Sequence, residues 1–99
     1  MRRASRIDAN HRELLDAARR LGAVVIHTHQ VGGGAPDAFV WTPRTNWIAV
    51  EIKTPGGKFK PSQLALQKLC PITVWRNYTD VLDSLAFPKA SRRINLNST

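Results

Sequence analysis

Apolar residues recur along the chain in two different rhythms. Between Asn10 and Leu21 the positions Leu14, Ala17, Ala18 and Leu21 fall three and four apart, with Leu15 beside them, which is one face of a helix. Gly22 follows as its stop, and Asn10 three residues before Glu13 has the spacing of a capping box. The rhythm then changes. Ala23–Gln30 is rich in β-branched residues and reads as a strand, broken by Gly32, Gly33 and Gly34. Asp37–Trp41 is a second strand, Thr42–Asn46 a turn, and Trp47–Lys53 a third strand. In that third strand Ile48, Val50 and Ile52 point one way, while Trp47, Ala49, Glu51 and Lys53 point the other. Beyond the turn Thr54–Gly57, Pro61 suits a first helical position and opens a helix running to Cys70. Its apolar stripe is Leu66, Leu69 and Cys70, with Gln63 on the same face. Ile72–Arg76 is a fourth strand. Tyr78–Ala86 is a last helix with Val81, Leu82 and Leu85 inward.

The predicted order is therefore αβββαβα. Short turns between the first three strands permit hairpins, and the helix before the fourth permits a parallel crossover. The fold class is α/β, a mixed four-stranded sheet flanked by helices. With 99 residues it is a single domain, with a core over about 7–86 and a polar, basic tail over 88–99.

Charge adds a partner. Lys and Arg number 15 against 7 Asp and Glu, a net charge of +8, and the excess is spread over the chain. A polyanion fits that balance, and nucleic acid is the commonest one. No apolar run is long enough to span a membrane, and the basic N-terminus leads into polar sequence rather than a signal-peptide core. One cysteine forms no internal disulfide. These features point to a cytoplasmic protein with no membrane partner. Gly32–Gly34 lacks the Gly-Lys-Ser/Thr ending of a P-loop, so no nucleotide cofactor is expected.

The chemistry concentrates in Asp37 and in Glu51-Ile52-Lys53. If the second and third strands pair as a hairpin, Asp37 at the start of one falls beside Glu51 and Lys53 at the end of the other. Two carboxylates so placed bind Mg²⁺ or Mn²⁺, because the cation relieves their repulsion. An adjacent ammonium orients water or offsets charge on a phosphodiester under attack. Lys58 and Lys60 flank Phe59 just beyond and have the character of phosphate contacts, with Arg44 as a further basic group. His27 and His29 share one strand face but lack a third ligand at a useful spacing, His11 being isolated in sequence, so a structural role is favoured for them. Cys70 is expected in the core. Trp41, Trp47 and Trp75 are expected in the core or at a dimer face.

Gly34-X-Pro36-Asp37, Glu51-X-Lys53, Gly56-Gly57-Lys58 and Pro61-X-Gln63 together resemble the PD-(D/E)xK nuclease superfamily. Within it they look most like the VRR-NUC (virus-type replication-repair nuclease) domain of small phage and prophage proteins. The resemblance implies a restriction-endonuclease-like core and a metal-dependent DNA endonuclease, active as a homodimer and in some members on branched DNA. It implies Asp37, Glu51 and the Ile52 carbonyl as metal ligands, with Glu13 completing the acid set. Lys53 would be the catalytic lysine and Gln63 would orient water or phosphate. Lys60 departs from the Thr or Ser usual there as helix cap. A non-catalytic nucleic-acid-binding module on the same fold is the alternative reading, and a small domain meeting an acidic protein is a third.

Overall fold

Helix α1 spans Arg2–Arg20, and strands β1 (Val24–His27), β2 (Ala38–Thr42) and β3 (Asn46–Ile52) follow it. Helix α2 (Pro61–Leu69), strand β4 (Thr73–Trp75) and helix α3 (Tyr78–Leu85) complete the order, which is the predicted one. The structure, a computed structural model, describes residues 2–86, so the basic tail over 88–99 lies outside the described residues.

Helix α1 begins well before Asn10. No Pro or Gly interrupts residues 2–20, so nothing stops the helix there, and Asn10 lies inside it rather than capping it. The expected capping box with Glu13 is therefore not formed. The other end follows the expectation. Gly22 takes φ +93°, its N–H donates to the Arg19 carbonyl at 2.9 Å, and the Ala23 N–H donates to Ala18 at 3.1 Å. This pair of bonds is a Schellman motif, and the left-handed φ suits glycine. Leu14, Leu15, Ala17 and Ala18 are buried, whereas Leu21 lies beyond the last helical turn and is exposed.

The sheet order is β1-β2-β3-β4. The first three strands are antiparallel neighbours and β4 joins β3 in parallel. The β2–β3 hairpin turns over 43–45, with Asn46 at φ +58°, the left-handed position that closes a three-residue hairpin loop. β1 is shorter than its β-branched run. Its ladder ends where His27 faces Ala38, and Thr28 then opens a turn closed by the Val31 N–H at 3.1 Å.

The register defines two unlike faces. Val25, Val40 and Ile48 form one cross-strand row, and His27, Ala38 and Val50 the next. Against this face pack α1 and α3, which contact each other and, respectively, β1 and β4. Here lies the core, with Leu15, Ala18, Ala38, Val40, Val50, Trp75 and Val81 fully buried. Truncating one of its larger members to Ala is worth about 2–5 kcal/mol. The opposite face carries Val24, Trp41 and Trp47 in one row and Ile26, Phe39 and Ala49 in the next. Val24, Ile26, Phe39 and Trp47 are exposed there.

Helix α2 does not bury the stripe expected of it. None of its residues is buried, Leu69 is 83% exposed, and Cys70 is exposed rather than in the core. The stripe has the right period, but it is covered only in part: Gln63 and Leu66 are half-buried, while Leu69 and Cys70 face solvent. Of the tryptophans, Trp75 fills the core and donates Nε1–H to Ser84 Oγ at 2.9 Å, while Trp47 is half exposed.

Candidate active site

Ala38 pairs with Val50, so continuing the antiparallel register by one residue sets Asp37 opposite Glu51. Alternation puts both on the sheet side that the core helices leave open, at the end remote from the hairpin turn. Asp37 is fixed at three points. Its N–H donates to the Val50 carbonyl and its carbonyl accepts from the Thr28 N–H, each at 2.9 Å. Its Oδ2 accepts from the Ile52 N–H at 2.7 Å.

Glu51 is buried, with only 4% of its surface exposed. Its carboxyl lies near that of Asp37, Lys53 Nζ stands 3.9 Å from Oε2, and Gln63 Nε2 donates to the same oxygen at 2.7 Å. Burial, and then the Asp37 charge beside it, push the Glu51 pKa up from 4.5 to about 7, against the opposing pull of Lys53 and Lys60. A buried carboxyl whose ionisation is opposed by burial and by a neighbouring carboxylate is a group that a divalent cation would relieve. The donor set of two carboxylates, hard oxygens at one point, fits Mg²⁺ or Mn²⁺.

Gln63 reaches the site because of where α2 begins. Pro61 opens the helix, so Gln63 is the third helical residue. Its Oε1 accepts from the Lys60 N–H at 2.8 Å, which leaves Nε2 to point at Glu51. The amide thus caps its own helix and binds the carboxylate at once, and the two bonds fix which end is oxygen. Lys60 contributes no side-chain cap in return, since an ammonium accepts no hydrogen bond. Gly34 comes so close to this first turn that a Cβ there would lie 2.9 Å from Ser62. With φ +85° as well, the glycine joins the approach loop to α2.

Lys53 Nζ also sits 5.5 Å from the centre of the Phe59 ring, as does the Arg76 guanidinium. Arg76 Nη1 donates to the carbonyls of Thr54 and Gly57, both at 2.8 Å, and of Pro55 at 3.2 Å. Sequence reading gave Arg76 no role, yet it staples the turn that follows Lys53. Lys58 and Lys60 are exposed beside Phe59.

Two expected members make no direct bond to the carboxylates among the described residues. Glu13 is exposed on α1 and lines a cleft with Pro55, Arg76, Asn77 and Tyr78, and among the described residues no hydrogen bond or ion pair joins it to Asp37 or Glu51. Arg44 lies in the hairpin turn, at the opposite end of β2 and β3, where Nη1 donates to the Ala86 carbonyl at 3.3 Å.

The histidines depart from expectation. His11 is not isolated in space. His27 lies on the sheet face that α1 covers, His29 in the turn beyond, and α1 brings His11 to both. A ring nitrogen from each of the three lies within 4.8 Å of the others. Sequence spacing hides this group, because its third member comes from a helix packed on β1.

No protein-family profile, no curated protein and no solved structure matches this chain.

Proposed function

We propose that the chain is a metal-dependent DNA endonuclease of the PD-(D/E)xK type, similar to VRR-NUC domains. The observation that carries this reading is the meeting of Asp37, Glu51, Lys53 and Gln63 at one end of the sheet, with the Glu51 pKa raised to about 7 chiefly by burial and the Asp37 charge. Asp37 and Glu51, with the Ile52 carbonyl, would hold Mg²⁺ or Mn²⁺. The ion would polarise a phosphodiester and acidify water. Lys53 would neutralise charge building on the phosphorus oxygens, its ammonium held in place by Glu51 and the Phe59 face. Gln63 would keep Glu51 aimed at the ion. Lys58 and Lys60, exposed on either side of Phe59, would grip backbone phosphates.

The open sheet face, with Val24, Ile26, Phe39 and Trp47 exposed on it, suits a second copy of the chain. A homodimer would present two acid clusters, a fit for branched or paired-strand DNA. No helix among the described residues is long and apolar enough to cross a membrane. A cytoplasmic location accords with such a substrate.

The test incubates the protein with plasmid and four-way-junction DNA in Mg²⁺, Mn²⁺ or EDTA, alongside Asp37→Ala and Lys53→Ala. Cleavage that needs the metal and falls about 10²-fold or more in both variants is the expected result. DNA binding with no metal-dependent cleavage under any condition would replace this reading with a non-catalytic binding module.

A further inference from the structure

Away from the carboxylates, α1 and the end of β1 enclose a cleft of about 370 Å³ lined by His11, Arg12, Asp16, Arg19, His27 and His29. We propose that His11, His27 and His29 bind one transition-metal ion of the zinc class. The proposal stands on geometry independent of the nuclease reading.

Three imidazoles around one tetrahedral ion at about 2.0–2.1 Å place their nitrogens roughly 3.3 Å apart. Here the donor atoms already lie within 4.8 Å of one another. Small side-chain rotations close that gap, and they are cheap because His27 and His29 are exposed. The His11 and His29 rings meet edge to face with centroids 5.0 Å apart, so both already converge on the cleft. Imidazole nitrogen selects Zn²⁺, Co²⁺, Ni²⁺ or Cu²⁺ and discriminates against Mg²⁺ and Ca²⁺.

Arg19 lies against one ligand. Its Nη2 lies 3.1 Å from His27 Nε2. A guanidinium only donates, so in this contact Nε2 is the acceptor, and its lone pair is engaged by Arg19 until a metal takes its place. Arg19 is itself held by Asp16, its Nη1 donating to Oδ1 at 2.8 Å. Entry of the ion would displace Nη2 and leave that pair intact. With three protein ligands, the remaining coordination position would fall to solvent or a small anion.

The ion would also reach the segment that carries the acid cluster. Thr28 lies between two of the ligands, and its N–H and Oγ1 bond the carbonyls of Asp37 at 2.9 Å and Pro36 at 2.8 Å. Metal binding would therefore pin α1 to the end of β1 and clamp the backbone at Asp37.

The test titrates EDTA-stripped protein with Co²⁺ and then displaces it with Zn²⁺. Mg²⁺ at millimolar concentration serves as control. His11→Gln, His29→Gln and Asp37→Asn are compared after circular dichroism has shown each to be folded. The expected result is one equivalent of Co²⁺ with visible d–d absorption that is released by Zn²⁺, untouched by Mg²⁺ and retained in Asp37→Asn, apart from any Co²⁺ taken up by the acid cluster. Affinity should be about tenfold or more weaker in either histidine variant and unchanged in Asp37→Asn. Absence of stoichiometric binding, wild-type affinity in both histidine variants, or loss of binding in Asp37→Asn alone would overturn it. Because cleavage is not the readout, failure here and failure of the nuclease reading are separate results.

Discussion

The acid cluster and the histidine cluster are built by opposite means. Asp37, Glu51 and Lys53 are set by strand register, and Gln63 is brought in by the first turn of a helix. Each carboxylate has a hydrogen-bond donor already in place, and Glu51 is buried. The histidines come from a helix, a strand and a turn, with His27 and His29 exposed and Arg19 laid across one lone pair. A site made by register is fixed before any ligand arrives and carries charge repulsion as its cost. A site made by packing is looser and must be gathered by what binds it.

The sharpest way to break this contrast is at Glu51. Its folded pKa of about 7 lies above the ordinary 4.5, so between those values the native state holds more proton than the unfolded chain. Stability then falls as pH rises from about 4.5 through about 7 and stays lowered above. Glu51→Gln removes the buried charge and keeps the shape. It should stabilise the protein at pH 8 by on the order of 2 kcal/mol, a rise of roughly 10 °C in Tm, and leave it unchanged at pH 4. Equal melting curves at both pH values would show that the carboxylates are not in conflict. A smaller effect is expected from Gln63→Ala. It opens the Lys60 N–H and deprives Glu51 Oε2 of its donor, for a loss of about 1–2 kcal/mol in urea unfolding. The smallest belongs to the other region. Arg19→Ala should leave stability within about 1 kcal/mol, since its pair with Asp16 is solvent-exposed. The same change should tighten Co²⁺ binding at the histidines several-fold by freeing His27 Nε2.

What sequence could and could not reveal follows the same division. Strand pairing has period two and hairpins have few loop lengths, so the register that sets Asp37 against Glu51 can be read from Ala38–Ile52 alone. Gln63 was legible because proline marks the start of α2. The meeting of His11 with His27 and His29 needs the packing of α1 on β1, which no local spacing encodes. Nor could periodicity say whether an apolar stripe has anything to pack against. The stripe on α1 meets the sheet, and the stripe on α2 meets solvent at Leu69 and Cys70. Helix α1 outran its predicted start because an Asn–Glu pair at capping distance has the same spacing inside a helix as at its head.

Helix α2 has no buried side chain, and the hydrogen bonds from Gln63 hold only its first turn. Such a helix is moored at the bow and free at the stern. Its amides toward Leu69 should therefore exchange with solvent sooner than those of the central strands, which amide hydrogen exchange would read.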